Sequence, residues 1–190
     1  MMSRIAPILD YETSELAPLF EQAEKWMGFQ PNDGLIMAHK PNLLISFFTL
    51  AKAVYDEGYV NSGLKRMIGH VASLSAGCEY CSAHTAYSAG KHGVSEEKMK
   101  SIWNFQTSPL FSDKEKAALN LALKSSIVPN QVSDEDFDEL KKHFCDAAIV
   151  EIMGVISLFG FLNRWNSTFK TELEILPKKA YESIKTTENA

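Results

Sequence analysis

A chain of 190 residues, 45% hydrophobic and 23% charged, suits a single folded domain that buries a core without metal or disulfide staples. Its formal net charge of −5 offers no basic stripe for a phosphate backbone, so nucleic-acid binding is excluded as a first reading. The opening "MMSRIAPILDYETSELAPLF" has an apolar patch that Asp10, Glu12 and Glu15 soon interrupt, unlike a signal peptide. The longest apolar run, "AAIVEIMGVISLFGFL", contains Glu151 and stops short of the ~20 residues of a bilayer span. The expectation is a cytoplasmic protein with no membrane partner.

In chain order, "TSELAPLFEQAEKWMG" places Leu16, Leu19, Phe20, Ala23 and Met27 at helical spacing, with Gly28 as its stop. "QPNDGLIMAHKP" reads as a loop bracketed by Pro31 and Pro41. "NLLISFFTLAKAVYDEG" is a strongly apolar helix ending near Gly58, and "NSGLKRMIGHVASLSAG" is another, carrying Leu64, Ile68, Val71 and Leu74 and broken at Gly77. A further helix runs from about Cys78 towards Gly93. Ser95 opens a short one with Met99, Ile102 and Trp103 on one side.

Ser112 and Glu115 stand at capping-box spacing ahead of "AALNLALKSS", and Ser133 opens "SDEDFDELKKHF" with acids in the first turn. "DAAIVEIMGVISLFGFLNRWN" is apolar on most sides and reads as the central buried helix. From Pro177 the tail reads as exposed. With no alternating segment anywhere, the fold class is all-α, one domain over residues 1–190.

The segment "SLSAGCEYCSAHTAYSAGKHGVSEEKM" holds the chemistry. Gly77 ends one helix, so Cys78 falls in the first turn of the next, where unpaired backbone N–H groups and the helix dipole stabilise a thiolate. Residues three apart lie about 60° apart on a helix, so Cys78, Cys81 and His84 form one stripe in which His84 can accept the Cys81 proton or, as imidazolium, lower its pKa. In the preceding helix Arg66 and His70 share a face that a helical hairpin would turn towards the cysteines. Tyr80 and Tyr87 fall on the other side of the helix and read as packing.

The pair admits three readings: a redox dithiol, half of a zinc site completed by His84 or by the distant His143 and Cys145, or two packed thiols. Zinc lacks a second tight ligand pair, so no metal site is expected. No flavin, haem or nucleotide fingerprint is present, and no cofactor is called for.

"GCEYCSAHTAYSAGKHGVSEEKM" resembles the signature of the AhpD-like, carboxymuconolactone decarboxylase family, in its peroxidase-related branch. The likeness extends roughly from Pro41 to Phe169, with the redox core at about residues 41–127. It implies an all-α, AhpD-like helical bundle assembled as a homo-oligomer. The implied activity is antioxidant reduction of hydroperoxides through a Cys78/Cys81 thiol–disulfide cycle, with a lipoyl protein or thioredoxin-like partner as reductant.

Two positions depart from the pattern. The glutamate that redox members carry in the preceding helix is Arg66 here, and their histidine stands one place later, at Thr85, although the peroxidase-related branch is similar to this chain in having it at the place of His84. Catalytic candidates are therefore Cys78, Cys81 and His84, with His70 and Arg66 as relay candidates beside their plainer readings as a core histidine and an ion-pairing residue. A lactone-acid decarboxylase and a non-enzymatic redox sensor are the alternatives.

Cys145 reads as an inert thiol, His39 and His92 as loop or helix-end residues, and Asn163, Arg164 and Asn166 as structural or subunit-interface groups. Met99, Trp103, Phe105 and Phe111 read as core, with an apolar entrance for an organic peroxide as their second use.

Overall fold

A computed structural model describes residues 3–11 and 15–185. Among them run ten α-helices and no strand: α1 (Ala17–Met27), α2 (Asn32–Met37), α3 (Pro41–Tyr55), α4 (Ser62–Ser75), α5 (Glu79–Lys91), α6 (Glu96–Lys100), α7 (Asp113–Ser125), α8 (Asp134–Lys141), α9 (Asp146–Phe169) and α10 (Ile175–Ile184). A 3-10 turn at Ile102–Asn104 links α6 to α7. The marked helix starts are real: Ser112 with Glu115, and Ser133 with Asp136, form reciprocal capping boxes. Gly28 closes α1 at φ +89°, and Gly77, at φ +66°, turns α4 into α5; both need the left-handed backbone that glycine adopts without penalty.

Two apolar clusters organise the chain. The larger is built on α4, α5, α7 and α9 around Ile68, Val71, Ala72, Leu119, Ile152 and Val155. The smaller joins α1, α2 and α3 through Leu16, Phe20, Leu35, Met37 and Leu44. In the larger cluster α4 lies against α5 as the second arm of a hairpin and crosses α9 closely enough that Gly69 has no room for a Cβ beside the Phe159 ring. The functional site falls between the two clusters.

Several elements differ from what periodicity suggested. "NDGLIM", read as loop, forms the one-and-a-half-turn helix α2, with Asp33 in its first turn. The tail is a helix, α10, whose Pro177 is buried and which packs along α5; its outer side is exposed, and residues 186–190 lie outside those described. Met99, Phe105 and Phe111 are core, but Trp103 is 56% exposed, because the turn at Ile102–Asn104 rotates it away from Met99 and Ile102.

The helix continues past the apolar run through "NRWNSTF", so α9 reaches 24 residues and is long and apolar enough to cross a membrane by length and composition. Half of its most apolar stretch is buried, against α3, α4, α5 and α7, while Val150 and Phe161 are exposed.

One ion pair ties the loop between α3 and α4 to α9. The buried Lys65 ammonium donates to the carbonyls of Val54 (3.0 Å) and Asp56 (2.8 Å) and lies 3.2 Å from Glu151 Oε2. Glu151 also accepts the amides of Tyr59 (2.8 Å) and Val60 (3.1 Å). The acid that interrupts the apolar run is thus the counter-ion of a buried lysine. Glu151→Ala strands that charge and is expected to lower stability by about 2 kcal/mol in denaturant titration, less than for a fully buried pair because Glu151 is partly exposed.

Candidate active site

Cys78 is the N-cap residue of α5 and Cys81 lies in its first turn. Both sulfurs are reduced and both residues are 2% exposed. Their environments differ. The Cys78 thiol is drawn down from 9.0 to about 6, chiefly by the hydrogen bond from the Cys81 thiol, against burial, with help from the Cys81 amide and the Ser167 hydroxyl. The Cys81 thiol is pushed well up, first by burial and then by its charged neighbour, while Asn166 Nδ2 donates to its sulfur at 3.4 Å. The two shifts run in opposite directions, so Cys78 is the member of the pair that ionises first. The sequence placed a thiolate-stabilising helix start at Cys78 and paired Cys81 with His84; the neighbouring thiol adds to the first effect.

His84 turns to a carboxylate. Its Nε2 donates to Glu174 Oε2 at 2.6 Å. Glu174, the N-cap residue of α10, also accepts the Asn32 amide (2.6 Å) and the Tyr80 hydroxyl (2.7 Å) on Oε1. Burial pushes its carboxyl up, but His84, the Asn32 amide and Tyr80 together hold it below the usual range. Tyr80, read as packing, stacks on His84 with ring centroids 4.2 Å apart. A carboxylate thus enters the site from the start of α10.

A second carboxylate comes from α2. Asp33 Oδ1 accepts the Gly34 amide at 2.8 Å, and Oδ2 accepts from Asn166 Nδ2 at 3.3 Å, the same amide that reaches Cys81. Burial pushes the Asp33 carboxyl up, reinforced by the Glu174 charge and opposed by His84. A carboxyl held towards its protonated form one amide away from the reactive sulfur is a proton donor in waiting.

Asp33, Tyr80, Cys81 and His84 line a cavity of about 460 Å³ between the two apolar clusters. Along α5 it follows one face through Cys81, His84, Thr85, Ser88 and His92, and its opposite walls include Trp26, Phe47, Phe48, Tyr55 and Phe159. Cys81 lines it and Cys78 does not. Arg66 lines it too, so the α4–α5 hairpin brings this relay candidate to the site.

His70 is placed otherwise: its Nδ1 donates to the Ser82 carbonyl (3.0 Å) and lies 2.9 Å from Thr85 Oγ1. It is a satisfied core histidine that locks α4 to α5. His143 pairs with Glu139 at 3.3 Å, Cys145 is exposed at the start of α9, and among the described residues no three His, Cys, Asp or Glu groups converge to hold a metal. His39 bonds the Ala6 carbonyl and His92 the Ser88 carbonyl. Asn163 bonds the Ala72 carbonyl inside the bundle, and Arg164 bonds Gly160 on its own helix.

An all-helical bundle with a Cys-x-x-Cys pair at a helix start, opening on an apolar cavity, defines a class, and comparison with known proteins assigns it. Residues 41–124 match the carboxymuconolactone decarboxylase family. The fold superposes on the debrominase Bmp8 with a TM-score of 0.89 and 32% identity, over 95% of this chain and 97% of that one. One Bmp8 structure is a cysteine-to-alanine variant in complex with 2,3,4-tribromopyrrole.

A peroxidase-related protein with an alkylhydroperoxidase AhpD core, from Ralstonia eutropha JMP134, shares the fold at a TM-score of 0.81 and 22% identity, over 95% of each chain. Among curated proteins, YnjA of Escherichia coli (strain K12) is 33% identical over 90 residues, 47% of this chain and half of that relative's length. The chain belongs to the carboxymuconolactone decarboxylase family. Asp33, Asn166 and Glu174, which complete the site, all lie outside the segment that the family description matches.

Two titrations check this electrostatic picture. In thiolate ultraviolet absorbance, wild-type protein is expected to titrate with an apparent pKa of about 6 for Cys78, and Cys81→Ala to move that midpoint upwards by removing the donating thiol. Burial holds His70 down from 6.5 to about 4, so between those values the unfolded chain binds the extra proton. The stability it contributes is complete above pH 6.5 and is lost as pH falls towards 4, a total of about 3 kcal/mol. Denaturant titrations across that window are expected to show this loss, and His70→Gln to flatten it.

Proposed function

We propose that the protein is a thiol-dependent reductase, an enzyme that transfers two electrons from the Cys78/Cys81 pair to an organic hydroperoxide held in the cavity. The observation that carries the reading is the division of labour between the sulfurs: Cys81 faces the cavity while Cys78 holds the charge. Passage of the Cys81 proton to Cys78 frees the cavity-facing sulfur to attack the terminal oxygen of the O–O bond. That bond breaks, Cys81 becomes a sulfenic acid, and the departing alkoxide takes a proton from Asp33 to leave as an alcohol. The Cys78 sulfur then displaces the hydroxyl from Cys81 and forms the disulfide; the proton Cys78 received leaves with that hydroxyl as water, and Asp33 regains its proton from solvent.

His84, fixed by Glu174 and Tyr80, lines the same end and orients the substrate. An external dithiol, a lipoyl or thioredoxin-like protein, reopens the disulfide by exchange. Homo-oligomeric assembly in the cytoplasm belongs to the same proposal.

A second reading has its own support. The likeness to the debrominase Bmp8 and the aromatic walls of the cavity favour an aryl halide as oxidant. The balance is the same: the carbon–halogen bond is reduced to carbon–hydrogen, halide and a proton are released, and the two thiols become a disulfide. A decarboxylase of lactone acids would leave the thiols without a role.

Consumption of cumene hydroperoxide and of bromopyrroles, each with dithiothreitol as reductant, tests both readings. Cys81→Ser is expected to abolish turnover and Asp33→Asn to lower it by about a hundredfold, as for loss of a general acid. Full turnover by Cys81→Ser would overturn the assignment, and halide release without peroxide consumption would select the second reading.

A further inference from the structure

The cavity contains a cation, Arg66, that has no carboxylate partner among the described residues. Arg66 lies with its guanidinium carbon 3.4 Å from the centroid of the Tyr55 ring. Among the described residues no carboxylate lies within ion-pair distance of it, and its Nε, shielded from solvent, has no hydrogen-bond partner. Tyr55 does not supply the missing charge, because burial pushes its hydroxyl up and keeps it a neutral phenol. Arg66 is half-buried and held against Tyr55, so its unpartnered Nε–H is left for a ligand in the cavity, and the planar guanidinium fork suits a planar anion.

Its position sets the size of that ligand. His70, one turn further along α4, meets Ser82 and Thr85, so Arg66 in the antiparallel hairpin stands level with Ser88, which also lines the cavity. Cys81 and Ser88 are two helical turns apart, roughly 10 Å along α5. That span fits one substituted aromatic ring with its reducible group at Cys81 and an anionic group at Arg66. Trp26, Phe47 and Phe48 supply flat walls for such a ring.

We propose that Arg66 is the anion subsite of this cavity and that the substrate class is a planar aromatic anion, carrying a carboxylate or a ring N–H or O–H acidified by electron-withdrawing substituents. The proposal rests on the reductase reading for the identity of the reacting end, but the subsite itself is a matter of binding and is measured without turnover. Lys52 is a second cation at the exposed mouth and serves as the control.

The test is isothermal titration of Cys81→Ala protein, which cannot consume its ligand, with para-bromobenzoate and its neutral isostere para-bromobenzamide. The benzoate is expected to bind ~10-fold or more tightly than the amide, as for a charge-assisted pair. In this background Arg66→Gln is expected to erase that preference while keeping the affinity for the amide, Arg66→Lys to retain part of it, and Lys52→Gln to leave it intact. Equal binding of the two probes, a preference that survives Arg66→Gln, one that depends on Lys52 instead, or binding of neither probe overturns the proposal. Turnover of hydroperoxide by the wild-type enzyme is scored separately, so a failed subsite and a failed reductase are told apart.

Discussion

One proton shared by two buried sulfurs governs the rest of the site. Among the described residues no cationic side chain bonds either sulfur, and the groups that favour a charge on Cys78 are donors: the Cys81 thiol, the Cys81 amide and the Ser167 hydroxyl. The first two exist because Gly77 turns the chain with a left-handed backbone and lets Cys78 cap α5. The third comes from the last turns of α9. A helix start, a glycine and a distant hydroxyl thus accomplish what a nearby lysine or histidine does at other reactive thiols.

The same arrangement explains why the cavity is built between two apolar clusters rather than within one. Cys81 must be dry enough for its sulfur to stay protonated at rest and open enough to meet a substrate. Packing α1, α2 and α3 as a separate cluster over the α4–α5 hairpin leaves a seam between them, and Cys81 looks into that seam. The seam also lets carboxylates approach from both ends of the chain, Asp33 from α2 and Glu174 from the start of α10. Burial pushes the first up, while three donors hold the second down, so two acids of similar chemistry are shifted in opposite directions.

The parts of this site that local pattern marks were legible in the sequence: the cysteine pair beside a helix start, the helical hairpin, and Arg66 on the face that meets it. The helix starts at Ser112 and Ser133 were equally plain, because capping boxes are written within four residues. Asp33, Asn166 and Glu174 were not, since each is brought in by long-range packing. Glu174 is 90 residues from His84, and an acid at an N-cap followed by "ILPKK" carries no local signal.

Tyr80 was misread for a related reason: a helical wheel separates it from Cys81, but α10 and α2 cover that face and turn it into a second wall of the site. Pattern also favoured His84 as the partner of the sulfur, and gave no sign of the Glu174 carboxylate that meets its Nε2.

Mass spectrometry of the reduced protein after one equivalent of an organic hydroperoxide, with peptide mapping, addresses the cooperation of the two sulfurs most directly. The expected product is an intramolecular Cys78–Cys81 disulfide, formed in monomeric chains and reversed by dithiothreitol, with Cys145 still a free thiol. Recovery of both thiols unchanged, or of Cys81 as a stable sulfinic acid beside an unreacted Cys78, would contradict it.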